Sequence, residues 1–366
     1  MKFTINAKTF ANALGQQLRV INNKNTVAIL DNFKLHNEGD RSLVITASDP
    51  ETTSRLKIEI ESPEEGGAIC INASKLTDIV RKLGDKSITF STHGNEATIT
   101  CGKGVYSLPI FNADEYPKRE IPTDGFFTLP TETLIKGISA TKSAVSTDMI
   151  RPTITGVHMN ILADNGGIDF VGTDTHQLVV CHTESNGIAP LGVIIPAKTV
   201  NLVLNMFAKY PEIEICATER NIIFRSADAV LMSVLIQGNY PNYNRVMPST
   251  APYKVKVNKK ELLDVINRVS GFASNSTNLL ILEDSGMMEL KVSGRDFDFA
   301  QSAEDYIMAD GSMNNIRIGM SSEYLTKALN IFSEDEVTLQ VTDAARPLYI
   351  EEGNIKALVM PIQVIE

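Results

Sequence analysis

Hydrophobic and polar positions in this 366-residue chain follow one plan, written three times. In the stretch 126–145, FFTLPTETLIKGISATKSAV, a short alternating strand leads through a polar break into an amphipathic helix. The same order opens the chain as Phe3-Thr4-Ile5-Asn6-Ala7-Lys8-Thr9-Phe10 and returns as Val255-Lys256-Val257-Asn258-Lys259-Lys260-Glu261-Leu262. A period of roughly 125 residues predicts three domains of one kind, because a repeated pattern of this length is one repeated folding unit.

Each repeat has a second half. Another strand, break and helix occurs at Ile69–Leu76, at Val193–Val200 and at Ile316–Glu323. Each of these helices runs into a further alternating strand, as in Glu212-Ile213-Glu214-Ile215. The pattern therefore predicts six helices, over 7–24, 73–83, 131–143, 197–209, 258–269 and 321–330. Apolar spacings of three and four set their inward faces, for example Phe10, Leu14 and Leu18 in the first and Leu76, Ile79, Val80 and Leu83 in the second. Proline and short polar residues around Asp114-Glu115-Tyr116-Pro117 and Ile121-Pro122, and in Asn239–Pro248, mark linkers. Domains are expected over 1–123, 124–250 and 251–366, and the apolar end 357–366 reads as a final strand or a docking surface.

Composition narrows the class. A hydrophobic content of 43% suits buried cores. No apolar run approaches the roughly 20 residues of a membrane span, and Met1-Lys2-Phe3-Thr4-Ile5 opens a strand with no signal core behind it, so a cytoplasmic protein is expected. Cys70, Cys101, Cys181 and Cys216 fall singly, without metal-ligand spacing, and read as small buried hydrophobes of a reduced compartment.

Charge changes the picture once it is located. The chain carries −10 overall, whereas the six predicted helices sum to +9 and leave −19 for the remainder. Helices of one sign on a body of the other suit a closed ring with its helices inside. Two chains joined head to tail would place twelve helices side by side at ~9–10 Å, on a circle roughly 36 Å across. Subtracting one helix diameter of ~10 Å leaves a lumen of about 25 Å, which admits a nucleic-acid duplex and a layer of water. Dispersed Lys and Arg would hold phosphates there without reading bases. On this reading Lys8, Arg19, Lys75, Arg81, Lys82, Lys136 and Lys142 face the duplex.

At this point the residues resemble a known family, the bacterial sliding clamp or beta subunit of DNA polymerase III. The likeness spans the chain and rests on Thr173-Asp174-Thr175-His176-Gln177-Leu178, Tyr240-Pro241-Asn242-Tyr243-Asn244-Arg245-Val246-Met247-Pro248 and Val359-Met360-Pro361-Ile362. It implies an α+β fold of three repeated DNA-clamp domains per chain, with helices lining the inside of a ring and antiparallel sheets outside. It further implies a homodimeric processivity factor, not an enzyme and without a cofactor, that encircles duplex DNA and tethers the polymerase III catalytic subunit. Other polymerases and repair proteins would dock by short hydrophobic motifs, and an ATP-dependent loader would place the ring on DNA. The groove for those motifs would be walled by Ile154, Thr173, His176, Leu178, Pro241, Arg245, Val246, Tyr324, Val359, Met360, Pro361 and Ile362. The same resemblance puts Lys24, Arg151 and Lys198 near DNA and Tyr106, Leu108 and Phe272 at the subunit interface. Gln177 and Gln363 stand where the family often has Arg, Pro152 and Thr153 stand where it often has a Tyr pair, and Ile365-Glu366 extends past the usual end.

Two other classes compete with this reading. Asp174 and His176, two apart, have the spacing of a ligand or acid–base pair, but the remaining histidines give no metal spacing and no phosphate-binding or nucleophile motif occurs. A ring-shaped scaffold that never meets nucleic acid is the second alternative, and the concentration of positive charge on the helices counts against it.

Overall fold

The computed structural model describes all residues except 23–24, 164–165, 186, 249–250, 287 and 365–366. The predicted Lys24 contact and the Ile365-Glu366 extension lie outside the described residues.

Six α-helices are formed among those residues: α1 (Ala7–Leu18), α2 (Ala73–Lys82), α3 (Thr131–Thr141), α4 (Ala197–Met206), α5 (Lys259–Ser270) and α6 (Ser322–Leu329). Local chemistry starts several of them. Asn6, Asn72 and Asn258 precede α1, α2 and α5, and each side chain accepts from amides of the first helical turn, which otherwise lack partners. The first helix is shorter than its pattern predicts and ends at Leu18. The carbonyl of Val20, which a longer helix would use internally, is instead taken by the Lys198 ammonium at 2.7 Å. Arg19, Lys142 and Lys209 fall outside the α-helices and α1 stops short of position 24, so these helices carry +5 rather than +9.

The strands of the first repeat are β1 (Lys2–Asn6), β2 (Asn32–Asn37), β3 (Ser42–Ser48), β4 (Thr52–Glu59), β5 (Ser62–Glu65), β6 (Gly67–Asn72), β7 (Ser87–His93), β8 (Glu96–Cys101) and β9 (Gly104–Asn112). Those of the second are β10 (Phe127–Pro130), β11 (Gly156–Ile161), β12 (Ile168–Thr173), β13 (Gln177–Thr183), β14 (Leu191–Pro196), β15 (Glu212–Ala217), β16 (Asn221–Arg225) and β17 (Ala229–Val234). The third contributes β18 (Tyr253–Asn258), β19 (Leu279–Asp284), β20 (Glu289–Asp296), β21 (Gln301–Ser312), β22 (Arg317–Ser321), β23 (Glu336–Val341), β24 (Leu348–Glu352) and β25 (Ile355–Val359). The apolar C-terminal stretch thus contains the final strand, one of the two readings of its pattern.

The chain forms two compact units, residues 1–135 with 198–235 and residues 136–197 with 236–366. In the first, thirteen described strands run in the order β10-β15-β16-β17-β4-β3-β2-β6-β9-β8-β7-β1-β5. In the second, twelve run β14-β11-β12-β13-β25-β24-β23-β18-β21-β20-β19-β22. All pairings are antiparallel. The second repeat is therefore shared between two sheets. Each sheet is joined across a repeat boundary by one strand pair, β4 with β17 in the first unit and β13 with β25 in the second.

Cores lie where the alternation places them. Phe3, Ile5, Phe10, Leu14 and Phe90 are fully buried in the first unit, with the Phe3 and Phe90 rings stacked at 5.0 Å. In the second unit α3 passes so close to β12 that a Cβ on Gly137 would lie 2.1 Å from the Phe170 ring. Among the described residues no helix is long and apolar enough to cross a membrane.

Candidate partner groove and charged surface

On one face of the second unit, Val171, Leu178, Val180, Tyr243, Tyr349 and Leu358 form an apolar cluster, with Tyr240 and Met247 packed against it. Side chains alternate along β12, β13 and β25, so one face of those strands supplies this cluster while the other serves the core. A cleft of about 250 Å³ opens over it, lined by Thr173, Thr175, Gln177, Leu178, Tyr240, Pro241, Asn242, Tyr243, Val246, Pro347, Leu358 and Met360. Its lining is mostly apolar with few polar groups, the composition that suits capture of hydrophobic side chains.

The wall formed by residues 240–246 has little regular structure and is pinned by two tyrosines. Tyr240 donates to the Val171 carbonyl at 3.3 Å, and Tyr243 donates to Asp169 Oδ2 at 2.6 Å. The second carboxylate oxygen of Asp169 meets His182 Nδ1 at 2.7 Å, and Asn160 donates to the Tyr243 hydroxyl at 3.0 Å. Burial together with the Asp169 carboxylate pushes the Tyr243 hydroxyl up to about 12, so it remains a donor at neutral pH.

His158 stacks on Tyr240, ring centres 4.6 Å apart, and its Nδ1 lies 3.1 Å from the Val193 carbonyl. Burial lowers the imidazole below its ordinary 6.5, although the Val193 carbonyl and Asp169 act in the opposite direction. A base with a depressed folded pKa gives stability that is full above the unfolded value and declines as pH falls below it. The melting temperature should therefore drop between about pH 7 and pH 5, and His158→Phe, which keeps the stack, should remove His158's share of that slope in thermal melts. An unchanged slope in the variant would exclude this role.

Five of the predicted groove residues line the cleft: Thr173, Leu178, Pro241, Val246 and Met360. His176 sits on the adjoining turn and stacks on Tyr324 of α6 at 5.2 Å. Its amide and that of Gln177 donate to Asp174 Oδ1, so the Asp-x-His pair builds a turn rather than an acid–base site. Ile154 and Val359 correct the expectation: they are 2% and 0% exposed, because their side chains serve the core. Arg245 is exposed outside the lining, and Ile362 pairs with Gly319. Pro361 borders a separate hollow with Arg317, Ala344, Ala345, Gln363 and Val364. Gln177 lines the cleft, yet its side chain is buried and its amide donates to Asp174 and to the Ser143 carbonyl. Sequence reasoning missed Tyr240 and Tyr243 as lining residues, although both stood within the quoted Tyr-Pro-x-Tyr motif.

The predicted DNA contacts separate into two groups. Lys75, Arg81 and Lys82 on α2, Lys136 on α3, and Arg19 and Lys142 beyond helix ends all reach the surface. Lys8 is exposed with Asp85 at 3.6 Å, and Arg151 is held by Asp148 at 3.0 Å. Lys198 is engaged within the chain. Its ammonium is paired with Asp49, a carboxylate 3% exposed, and also takes Val20 and Asn22, so it fastens α4 to the first repeat. Of the predicted interface residues, Tyr106 and Phe272 are 38% and 42% exposed, but Leu108 is 7% exposed and already belongs to its own core.

Comparison with known proteins agrees with this architecture. Family models of the DNA polymerase III beta subunit match residues 1–121 as its N-terminal domain, 128–242 as its central domain and 244–363 as its C-terminal domain. The beta sliding clamp of Staphylococcus epidermidis is 27% identical over a 380-residue alignment covering 99% of each chain. The sliding clamp of Bartonella birtlesii, solved bound to griselimycin, superposes with a TM-score of 0.92 at 28% identity and 100% coverage of both chains. The fold is also that of the Pseudomonas aeruginosa clamp, with a TM-score of 0.93, 22% identity and 100% coverage of both chains. With all three domains matched in order over nearly its whole length, this chain belongs to the DNA polymerase III beta subunit family, the bacterial beta sliding clamps.

Proposed function

We propose that two copies of this chain, each of three repeats bounded at 1–123, 124–250 and 251–366, close into a ring through one strand-pairing rule. The chain is a DNA polymerase processivity factor of the sliding-clamp family and performs no chemistry of its own. The observation that carries the ring is that both repeat boundaries within the chain use the same pair of strands. The fourth strand of one repeat pairs with the last strand of the next, β4 with β17 and β13 with β25. Two edges remain to obey that rule. Residues 104–109 of β9 pair on one side with β8, and residues 301–308 of β21 pair on one side with β20. An open edge with unpaired amides and carbonyls is a template for another strand, and a head-to-tail contact between copies closes when the rotation permits.

The two internal junctions also supply the register. Thr53 pairs with Met232 and Leu178 with Leu358, and the corresponding residues here are Ser302 and Ser107. Ala303 would then oppose Tyr106 of the second copy, and Gln301 would oppose Leu108. Tyr106 becomes buried by this pairing, while Leu108 supports the strand from behind.

A ring so closed holds duplex DNA by topology, with exposed lysines and arginines screening phosphates without base readout. The cleft beneath residues 240–246 receives short hydrophobic motifs of the replicative polymerase, the ATP-dependent loader and other polymerases and repair proteins. Such a protein works in the cytoplasm, where the chromosome is. The test is retention: clamp loaded on nicked circular DNA should survive a high-salt wash and be lost when the circle is cut. Equal loss from circular and linear DNA would exclude encirclement.

A further inference from the structure

The turn joining β20 to β21 carries Phe297 and Phe299, 70% and 74% exposed, in Asp296-Phe297-Asp298-Phe299-Ala300-Gln301. Its counterparts are Asp49-Pro50-Glu51-Thr52 and Asp174-Thr175-His176-Gln177, two residues shorter. All three are built alike: the aspartate Oδ1 accepts from the amides two and three residues on, in Asp49, Asp174 and Asp296. The two shorter turns are covered by the repeat that follows. Asp49 is paired with Lys198 of α4, and the Glu51 carbonyl accepts from Val234. His176 stacks on Tyr324 of α6, and its carbonyl accepts from Met360. The third turn is uncovered among the described residues: its two phenylalanines face water at the end of the open edge of β21.

We propose that Phe297 and Phe299 form an aromatic knob that docks on a second copy of this chain, against the start of its α2 and the end of its β9. This rests on the strand-pairing reading given above and adds to it a contact that the open edges alone do not require. The residues awaiting the knob follow from the repeat. Lys75 occupies the helical position of Tyr324, three residues past the helix-starting Asn72 as Tyr324 is past Ser321, and it is exposed without an ion pair among the described residues. Phe111, 48% exposed, lies two residues beyond Pro109, the counterpart of Met360. An ammonium over an aromatic face is attractive, and Arg295 already stands 4.5 Å over the Phe297 ring from its own strand. Docking would remove two large exposed rings from water, which isolated soluble surfaces seldom present side by side. It also assigns Lys75 to the subunit junction rather than to DNA.

The chain has no tryptophan, so Phe299→Trp introduces a single indole reporter. Its emission should shift to the blue as the protein is concentrated through the monomer–dimer transition. Phe297→Ser with Phe299→Ser should raise the dimer dissociation constant at least about tenfold, followed by light scattering on dilution, with the monomer's melting curve unchanged. An indole spectrum independent of concentration, or a double serine variant that dissociates like the parent, overturns the knob. Glu304→Pro, which blocks the β21 edge, separates the two readings. If it dissociates the dimer while the serine variant does not, only the knob fails; if neither dissociates it, the strand pairing fails as well.

Discussion

Glu304→Pro should leave a folded chain that no longer dimerises. The strand β21 is bonded to β20 through alternate residues, and the alternation decides which amides are free. In β4 the amide of Lys57 reaches outward to the Asp228 carbonyl, and in β13 that of His182 reaches outward to Asn354. Tyr306 is the counterpart of both, so Ser302, Glu304 and Tyr306 direct their amides toward the open edge and away from β20. Proline at an edge position of this kind costs the monomer little, because no ladder bond to β20 is lost. It removes the central amide of the inter-subunit ladder and pushes a ring into the space of the incoming strand. With two or three backbone bonds lost at about 1 kcal/mol each, the dissociation constant should rise by on the order of 100-fold or more. Sedimentation velocity would then show the monomer where the parent is a dimer. A variant that stays dimeric at the same concentration would place the interface elsewhere. The salt bridge from Lys291 to Glu304 is also lost, but Lys291 keeps Glu283 at 3.2 Å, and an exposed ion pair contributes little.

The second large effect concerns the cleft. Val246→Asp combined with Met360→Asp should reduce the affinity for hydrophobic partner peptides by on the order of 100-fold, with little change in folding. Both side chains line the cleft, yet they are 55% and 42% exposed, so neither supports the core. Placing two carboxylates there leaves an apolar ligand side chain facing charges that must be desolvated. Dimer mass and retention on circular DNA should be unaffected, whereas polymerase stimulation should be lost. Stimulation at the parental level would remove this cleft as the tether. The converse variant, Ile154→Asp, is not informative, because Ile154 is core and the change would unfold the region around it.

The features behind these outcomes were not equally visible in the residues alone. The threefold repeat, the six helices and the α+β class could be read from the chain, because amphipathic periodicity and the polar breaks between strand and helix are local properties. One quoted motif also fell on a wall of the cleft, where Pro241 and Val246 were named as lining residues and Tyr240 and Tyr243 were not. What local pattern could not provide was the direction of individual side chains. Ile154, Val359 and Leu108 were named through the resemblance, which transfers positions but not the direction of a side chain; Val359 and Leu108 lie on strands, where apolar residues read alike from either face, and Ile154 ends a short 3-10 turn. Only the pairing of β13 with β25 and of β8 with β9 decides which side of the sheet Val359 and Leu108 occupy.

The same division holds for charge. Lysines on predicted helices could be counted, but Lys198 could not be separated from the rest, since its partner Asp49 lies 149 residues away. The order of residues establishes that one folding unit is used three times and where each unit's helices begin. It took the folded chain to settle that the second repeat is divided between two sheets, that residues 240–246 are hung on Asp169 and Val171, and that β9 and β21 each keep an open stretch of edge among the described residues. Those outcomes depend on contacts between residues far apart in the chain, and periodicity carries information only about near neighbours.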